Sequence, residues 1–152
     1  MTPAAPAASH PVHPDRMPWI PMGRPGLSFK PLRFFRDDSG WMYLFRLEPG
    51  TVIPLHRHTG EAHGFNISGS RKLLDTGEVI GPGTYVYEPP GNVDTWMAVG
   101  DEPTIILINV RGAIEYLGKD GEVTGRVTSN DRLKTYQRWC EEHGTAFLAT
   151  VE

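Results

Sequence analysis

The residues best suited to chemistry lie in one short string, Leu55-His56-Arg57-His58-Thr59-Gly60-Glu61-Ala62-His63. Side chains alternate along a strand, so His56 and His58 share one face and Arg57 points away. Two imidazoles so placed can grip one divalent metal ion. His63 follows far enough on to return on the next strand. It and Glu61 suit either a general base near a metal or a partner that orients a ligand histidine. Two further carboxylates are candidate ligands. With Asp94 the set becomes two histidines and one carboxylate, the arrangement of many non-haem Fe(II) oxygenases. Asp75 would share an inward face with Arg71 and Leu73 if that strand lines a barrel, and would equally suit the opening of an Asp-Thr-Gly turn. A lone His-x-His also fits two surface histidines, so the weight falls on what surrounds the pair.

The elements that must position these residues read as short strands broken by turn signals. Trp41–Leu47 alternates, with Trp41, Tyr43, Phe45 and Leu47 on one face. Further strands are expected at 51–55, 63–67, 71–75, 84–87, 95–99, 104–110 and 113–117. Turns fall at Pro49-Gly50, Ser68-Gly69, Thr76-Gly77, Gly81-Pro82-Gly83, Pro90-Gly91, Gly100-Asp101 and Asp120-Gly121. Strands at this spacing predict an all-β sandwich or barrel. Residues 1–18 are rich in proline and read as a flexible tail, with His10 and His13 solvated in it. Residues 19–144 form the predicted domain, beginning with an ordered apolar arm from Trp19 to Phe35 whose prolines argue against a helix. A helix capped by Ser129 or Asn130 is expected to run to about His143, with Gly144 just past its end. Its apolar face carries Leu133, Tyr136, Trp139 and Cys140, which makes Cys140 a core thiol rather than a nucleophile. Residues 145–152 read as a C-terminal tail.

The glycine framework adds specificity. Gly50, His56, His58, His63 and Gly69 follow the spacing of the first cupin motif, and Gly83, Pro89, Gly91 and Asp94 that of the second. The chain therefore resembles a single-domain cupin, a double-stranded β-helix or jelly-roll barrel with an N-terminal arm and one C-terminal helix. It departs at His63, where cupins usually carry Glu, at Asp94, where they usually carry the last ligand His, and at Ala98, which replaces a common Asn. The strings Phe29–Phe34, His56–Phe65 and Gly83–Gly91, with Gly112–Tyr116 and Asp120–Gly125, look like the 2,4′-dihydroxyacetophenone dioxygenase family. Acetylacetone-cleaving dioxygenases are a looser relative. The resemblance implies His56 and His58 as ligands and Asp75 as the counterpart of a family carboxylate. It implies Fe(II) as cofactor, and O₂ with a small carbonyl compound as substrates for cleavage of the adjoining C–C bond. Phe65, Tyr85, Tyr87 and Trp96 are candidate pocket walls, with packed core as the default for each. Arg111 could pair with an anionic substrate, or stand solvated at the barrel rim.

Composition bounds the alternatives. With 152 residues the chain can bury a full core without a structural metal. A net charge of −3, from 15 basic and 18 acidic residues, gives no basic stripe for nucleic acid. Cys140 is the single cysteine, so no internal disulfide can form. There is no apolar run of membrane-spanning length and no secretory leader pattern, so the expected location is the cytoplasm. The missing last histidine keeps a second class open: a lyase, isomerase or hydrolase using Zn²⁺, Mn²⁺ or Ni²⁺. A small-molecule-binding barrel without catalysis is a third. Exposed sheet edges and an apolar arm predict a homodimer or higher homo-oligomer.

Overall fold

The computed structural model of the protein describes residues 7–152. The part of the expected tail that falls in residues 1–6 lies outside the described residues. Two β-sheets pack face to face. The first runs β1 (Ile20–Pro21), β2 (Leu27–Phe34), β3 (Gly40–Leu47), β10 (Thr104–Arg111), β5 (Ala62–Ser68) and β8 (Tyr85–Glu88). The second runs β12 (Val123–Val127), β11 (Ile114–Leu117), β4 (Val52–His58), β9 (Val93–Val99), β6 (Ser70–Leu73) and β7 (Val79–Ile80). This is the expected all-β jelly roll.

The alternation expected of Trp41–Leu47 holds: Trp41, Tyr43, Phe45 and Leu47 are buried. Their rings form a ladder, Trp41 to Tyr43 at 6.0 Å and Tyr43 to Phe45 at 5.6 Å between centroids. Phe45 then meets Trp96 of the opposite sheet edge-on at 6.2 Å, so aromatic contact bridges the two layers.

The N-terminal segment is more integrated than an arm. Leu27–Phe34 is a full strand antiparallel to β3, with Phe29 and Phe34 buried. Pro31 is accommodated because the register shifts between Pro31 and Arg33, a bulge where the missing N–H does no harm. Within the expected tail, Met17 is buried, and Lys30 Nζ donates to the Pro14 carbonyl at 2.9 Å. At the other end β13 (Thr150–Val151) lies parallel to β2.

The helix α1 (Ser129–His143) occupies the expected range, but its cap is Thr128. Thr128 and Asp131 form a reciprocal capping box. Ser129 is instead buried and donates to Asp38 Oδ1 at 2.9 Å, and the same oxygen accepts from the Asn130 N–H at 2.7 Å. Gly144 ends the helix in the left-handed conformation, φ 62°. Tyr136 and Cys140 face the core, and no helix among the described residues is long and apolar enough to cross a membrane.

Candidate metal centre

Strand β4 turns His56 and His58 inward and Arg57 outward, as the period of two requires. Arg57 pairs outside the barrel with Glu115 at 2.9 Å. Both histidines are 4% exposed, with ring centroids 5.1 Å apart. His56 Nδ1 lies 2.8 Å from the Pro54 carbonyl, which fixes the ring and presents Nε2 to the interior. Opposite it in the neighbouring strand stands Asp94, with Oδ1 at 3.0 Å from Nε2. His58 Nε2 lies 3.1 Å from Glu88 Oε2. The four groups thus form a circuit of two direct pairs, His56 with Asp94 and His58 with Glu88.

The charges in this circuit are coupled. Burial disfavours the protonated His56 ring, but Asp94 beside it outweighs burial and raises the ring's pKa above its ordinary value. Burial would raise the Asp94 pKa, yet the His56 ring, aided by Glu88, holds it below the usual carboxylate value. Each partner therefore favours the charged form of the other.

Two imidazole nitrogens and two carboxylates on one wall are a donor set suited to Fe(II), Mn²⁺ or Zn²⁺. As they stand, no three such side chains among the described residues converge on one point. They are drawn off in two pairs instead, as uncompensated buried charges must be. The spacing within the pairs nevertheless fits: ligands at about 2.1 Å from one ion and at right angles lie about 3 Å apart. Each pair therefore holds its two donors at the separation of neighbouring ligands, so that either pair could supply two positions to a divalent ion.

The circuit opens on a cavity of about 80 Å³. Its walls include the aromatics Trp41, Tyr43, Phe45, Trp96 and Tyr116, together with Arg71, and Gly64 lies at its side. Burial drives the Tyr43 pKa far above its usual value, so the hydroxyl stays protonated.

Several expected site residues lie elsewhere. Asp75 sits in an exposed turn, where its Oδ1 accepts from the Thr76 N–H at 2.9 Å. Strand β6 ends at Leu73, so the inward parity that carries Arg71 into the barrel does not extend to residue 75. Phe65, Tyr85 and Tyr87 are 43%, 57% and 50% exposed on the outer face, which corrects the expectation that they wall the pocket. In β8 the inward side is taken by Glu88, one position beyond Tyr87. His63 belongs to the same outer face, stacked on Tyr85 and Tyr87, with Glu61 3.6 Å away. Neither lines the cavity. Arg111 is exposed and lies over the Phe35 ring at 4.1 Å. Trp96 does face the cavity. The main omission of the sequence reading is Glu88, signalled only by its place between the alternating Tyr85/Tyr87 and the motif residue Pro89.

A family model described as the ChrR cupin-like domain matches residues 7–115. Among curated proteins none matches. A cupin-like protein of unknown function from Ralstonia eutropha JMP134 superposes with a TM-score of 0.89 at 21% identity, covering 98% of this chain and 95% of that one. An acetylacetone dioxygenase from Acinetobacter johnsonii gives 0.78 at 14% identity over 91% and 97% of the two chains. The polyketide cyclase RemF from Streptomyces resistomycificus gives 0.58 at 19% over 80% and 85%. At these identities the likeness is one of fold.

Proposed function

The chain belongs to the ChrR cupin-like domain family, and we propose that it is a metal-dependent enzyme, most specifically a non-haem Fe(II) dioxygenase. Its reaction on this reading is cleavage of a C–C bond next to a carbonyl in a small aromatic hydroxyketone or β-dicarbonyl compound. One observation carries the proposal: the buried His56 and His58 face an aromatic cavity, each beside a carboxylate, Asp94 and the half-buried Glu88. The resemblance of the sequence strings to 2,4′-dihydroxyacetophenone dioxygenases, and the shared fold with an acetylacetone dioxygenase, support the substrate class.

On this reading His56, His58, Glu88 and Asp94 hold the ion. Bound there, Fe(II) supplies positions at which a carbonyl oxygen and O₂ can sit side by side. The chain does the rest. Tyr43, protonated at neutral pH, can donate a hydrogen bond to a carbonyl or enolate oxygen in the cavity. The aromatic walls exclude water and restrict the substrate to few orientations. Protein reconstituted anaerobically with Fe(II) should consume O₂ in proportion to substrate with acetylacetone or a hydroxyacetophenone. Absence of uptake across such a panel refutes the proposal.

A second reading is favoured by the carboxylates. A set with two acidic ligands in place of the last histidine suits Mn²⁺ or Zn²⁺ acting as a Lewis acid in a lyase, isomerase or hydrolase. Turnover under strictly anaerobic conditions would select it.

A further inference from the structure

Three arginines that belong to neither histidine motif line the cavity: Arg24 from the loop before β2, Arg71 from β6 and Arg132 from α1. Arg71 is 3% exposed, and its Nε is buried without a hydrogen-bond partner. Its guanidinium lies 4.6 Å above the Trp96 ring, and it forms no ion pair among the described residues. Arg132 Nε is likewise buried and unpartnered. Arginine does not shed its proton in a protein, so these are persistent positive charges in a confined space. Glu88, which shares the cavity wall with Arg71, is paired with His58 instead. Arg57, on the outside of the same barrel, shows what a satisfied arginine does here: its Nε and Nη2 both donate to Glu115. A buried guanidinium with an empty donor is a place for an anion that the chain itself does not supply.

We propose that the cavity binds a substrate bearing a carboxylate, which Arg71 holds above Trp96 with Arg132 reinforcing the field. The substrate's carbonyl end then faces His56 and His58, and its apolar part lies against the aromatic wall. A singly charged carboxylate suits the site better than a dianion, because Glu88 contributes one negative charge to the same wall. The inference takes the cavity as the substrate site, and so rests on the functional reading above.

The test compares matched ligands on metal-free full-length protein by titration calorimetry. 2,4-Dioxopentanoate differs from acetylacetone by a carboxylate in place of a methyl group. Phenylglyoxylate differs in the same way from acetophenone. Each carboxylate should bind at least about tenfold tighter than its uncharged twin. In Arg71→Gln that ratio should fall to near one. In Arg71→Lys, which keeps the charge and loses the planar fork, it should fall part of the way. Equal or weaker binding of the carboxylates by the wild-type protein overturns the proposal, and so does an unchanged ratio in a folded Arg71→Gln. If Arg71→Gln fails to fold, the wild-type ratio and Arg71→Lys decide. Oxygen uptake is a separate readout. Carboxylate binding without uptake leaves the inference standing and removes the dioxygenase reading; uptake with diketones but no carboxylate preference does the reverse.

Discussion

Replacing Asp94 by Asn tests the buried circuit most directly. The change keeps the shape of the side chain and removes the charge that faces His56 Nε2 at 3.0 Å. Both partners are almost completely enclosed, with side-chain exposures of 5% and 9%. Breaking such a pair leaves one buried charge uncompensated, which costs about 3–5 kcal/mol. For a chain of this size that is a fall in Tm of about 6–20 °C. The control lies on the other face of the same strand. Glu115→Ala breaks the Arg57 pair, where Arg57 is 38% exposed, and should cost no more than about 1 kcal/mol. The pH dependence follows from the shifts. His56 has a raised pKa, so its contribution is complete below 6.5 and is lost as pH rises through the folded value. Asp94 has a lowered pKa, so its contribution is complete above 3.8 and is lost as pH falls through the folded value. Metal-free protein should therefore be most stable between these limits, and Asp94→Asn should flatten both limbs. Chelator-treated protein followed by urea unfolding across pH 3–9 measures this. An Asp94→Asn variant as stable as the parent at pH 5.5 refutes the claim that His56 and Asp94 favour each other's charged forms.

Three other expectations address the site and its frame. Glu88→Gln should weaken binding of added Fe(II) or Mn²⁺ at least about tenfold, since it removes a ligand that also orients His58; full metal content after dialysis would exclude Glu88 from the centre. Tyr87→Phe should change stability by less than about 0.5 kcal/mol, and Tyr85→Phe, which removes the hydroxyl that meets His63 Nδ1, by about 1 kcal/mol at most; both should leave turnover within about twofold. A large loss of turnover in either would return the outer face to the active site. Asp38→Ala should destabilise the fold by about 1 kcal/mol, because Asp38 accepts from both Ser129 and Asn130 at the start of α1. The small desolvation of Asp38 acts to raise its pKa, but the Asn130 and Ser129 bonds win and lower it. The cap's contribution therefore stands above 3.8 and fades as pH falls, which acid unfolding of parent and variant would show.

The sequence revealed those features whose cause is local. That His56 and His58 share one face follows from strand parity, which alternate residues on one strand cannot escape. The β3 ladder and the helix ending at Gly144 follow from period and punctuation in the same way. What failed depended on partners distant in the chain. Parity says that Tyr87 and Glu88 face opposite ways, but only the pairing of β8 with β5 decides which of them faces in. Asp75 read as inward from Arg71, and that inference stops where β6 turns out at Leu73. Leu27–Phe34 looked like an arm because of its proline, and a bulge in its pairing with β3 made it a strand. The cap at Thr128 was hidden because Ser129 is drawn away to Asp38, a partner 91 residues earlier.

Gly64 gives the cavity an adjustable length. Its backbone is in the ordinary region, and a Cβ there would meet Arg71 Nη2 at 3.5 Å and Ile106 Cγ2 at 3.7 Å, normal contact distances. A methyl group fits at this position without moving the chain, and anything bulkier presses on the guanidinium. Residue 64 is therefore a gauge for ligand size that is independent of the metal-binding side chains. Related proteins that carry Ala, Ser or Val there would accept progressively shorter molecules on an unchanged set of donors. The position offers evolution, or an engineer, a way to change which ligand the cavity accepts without rebuilding its polar wall.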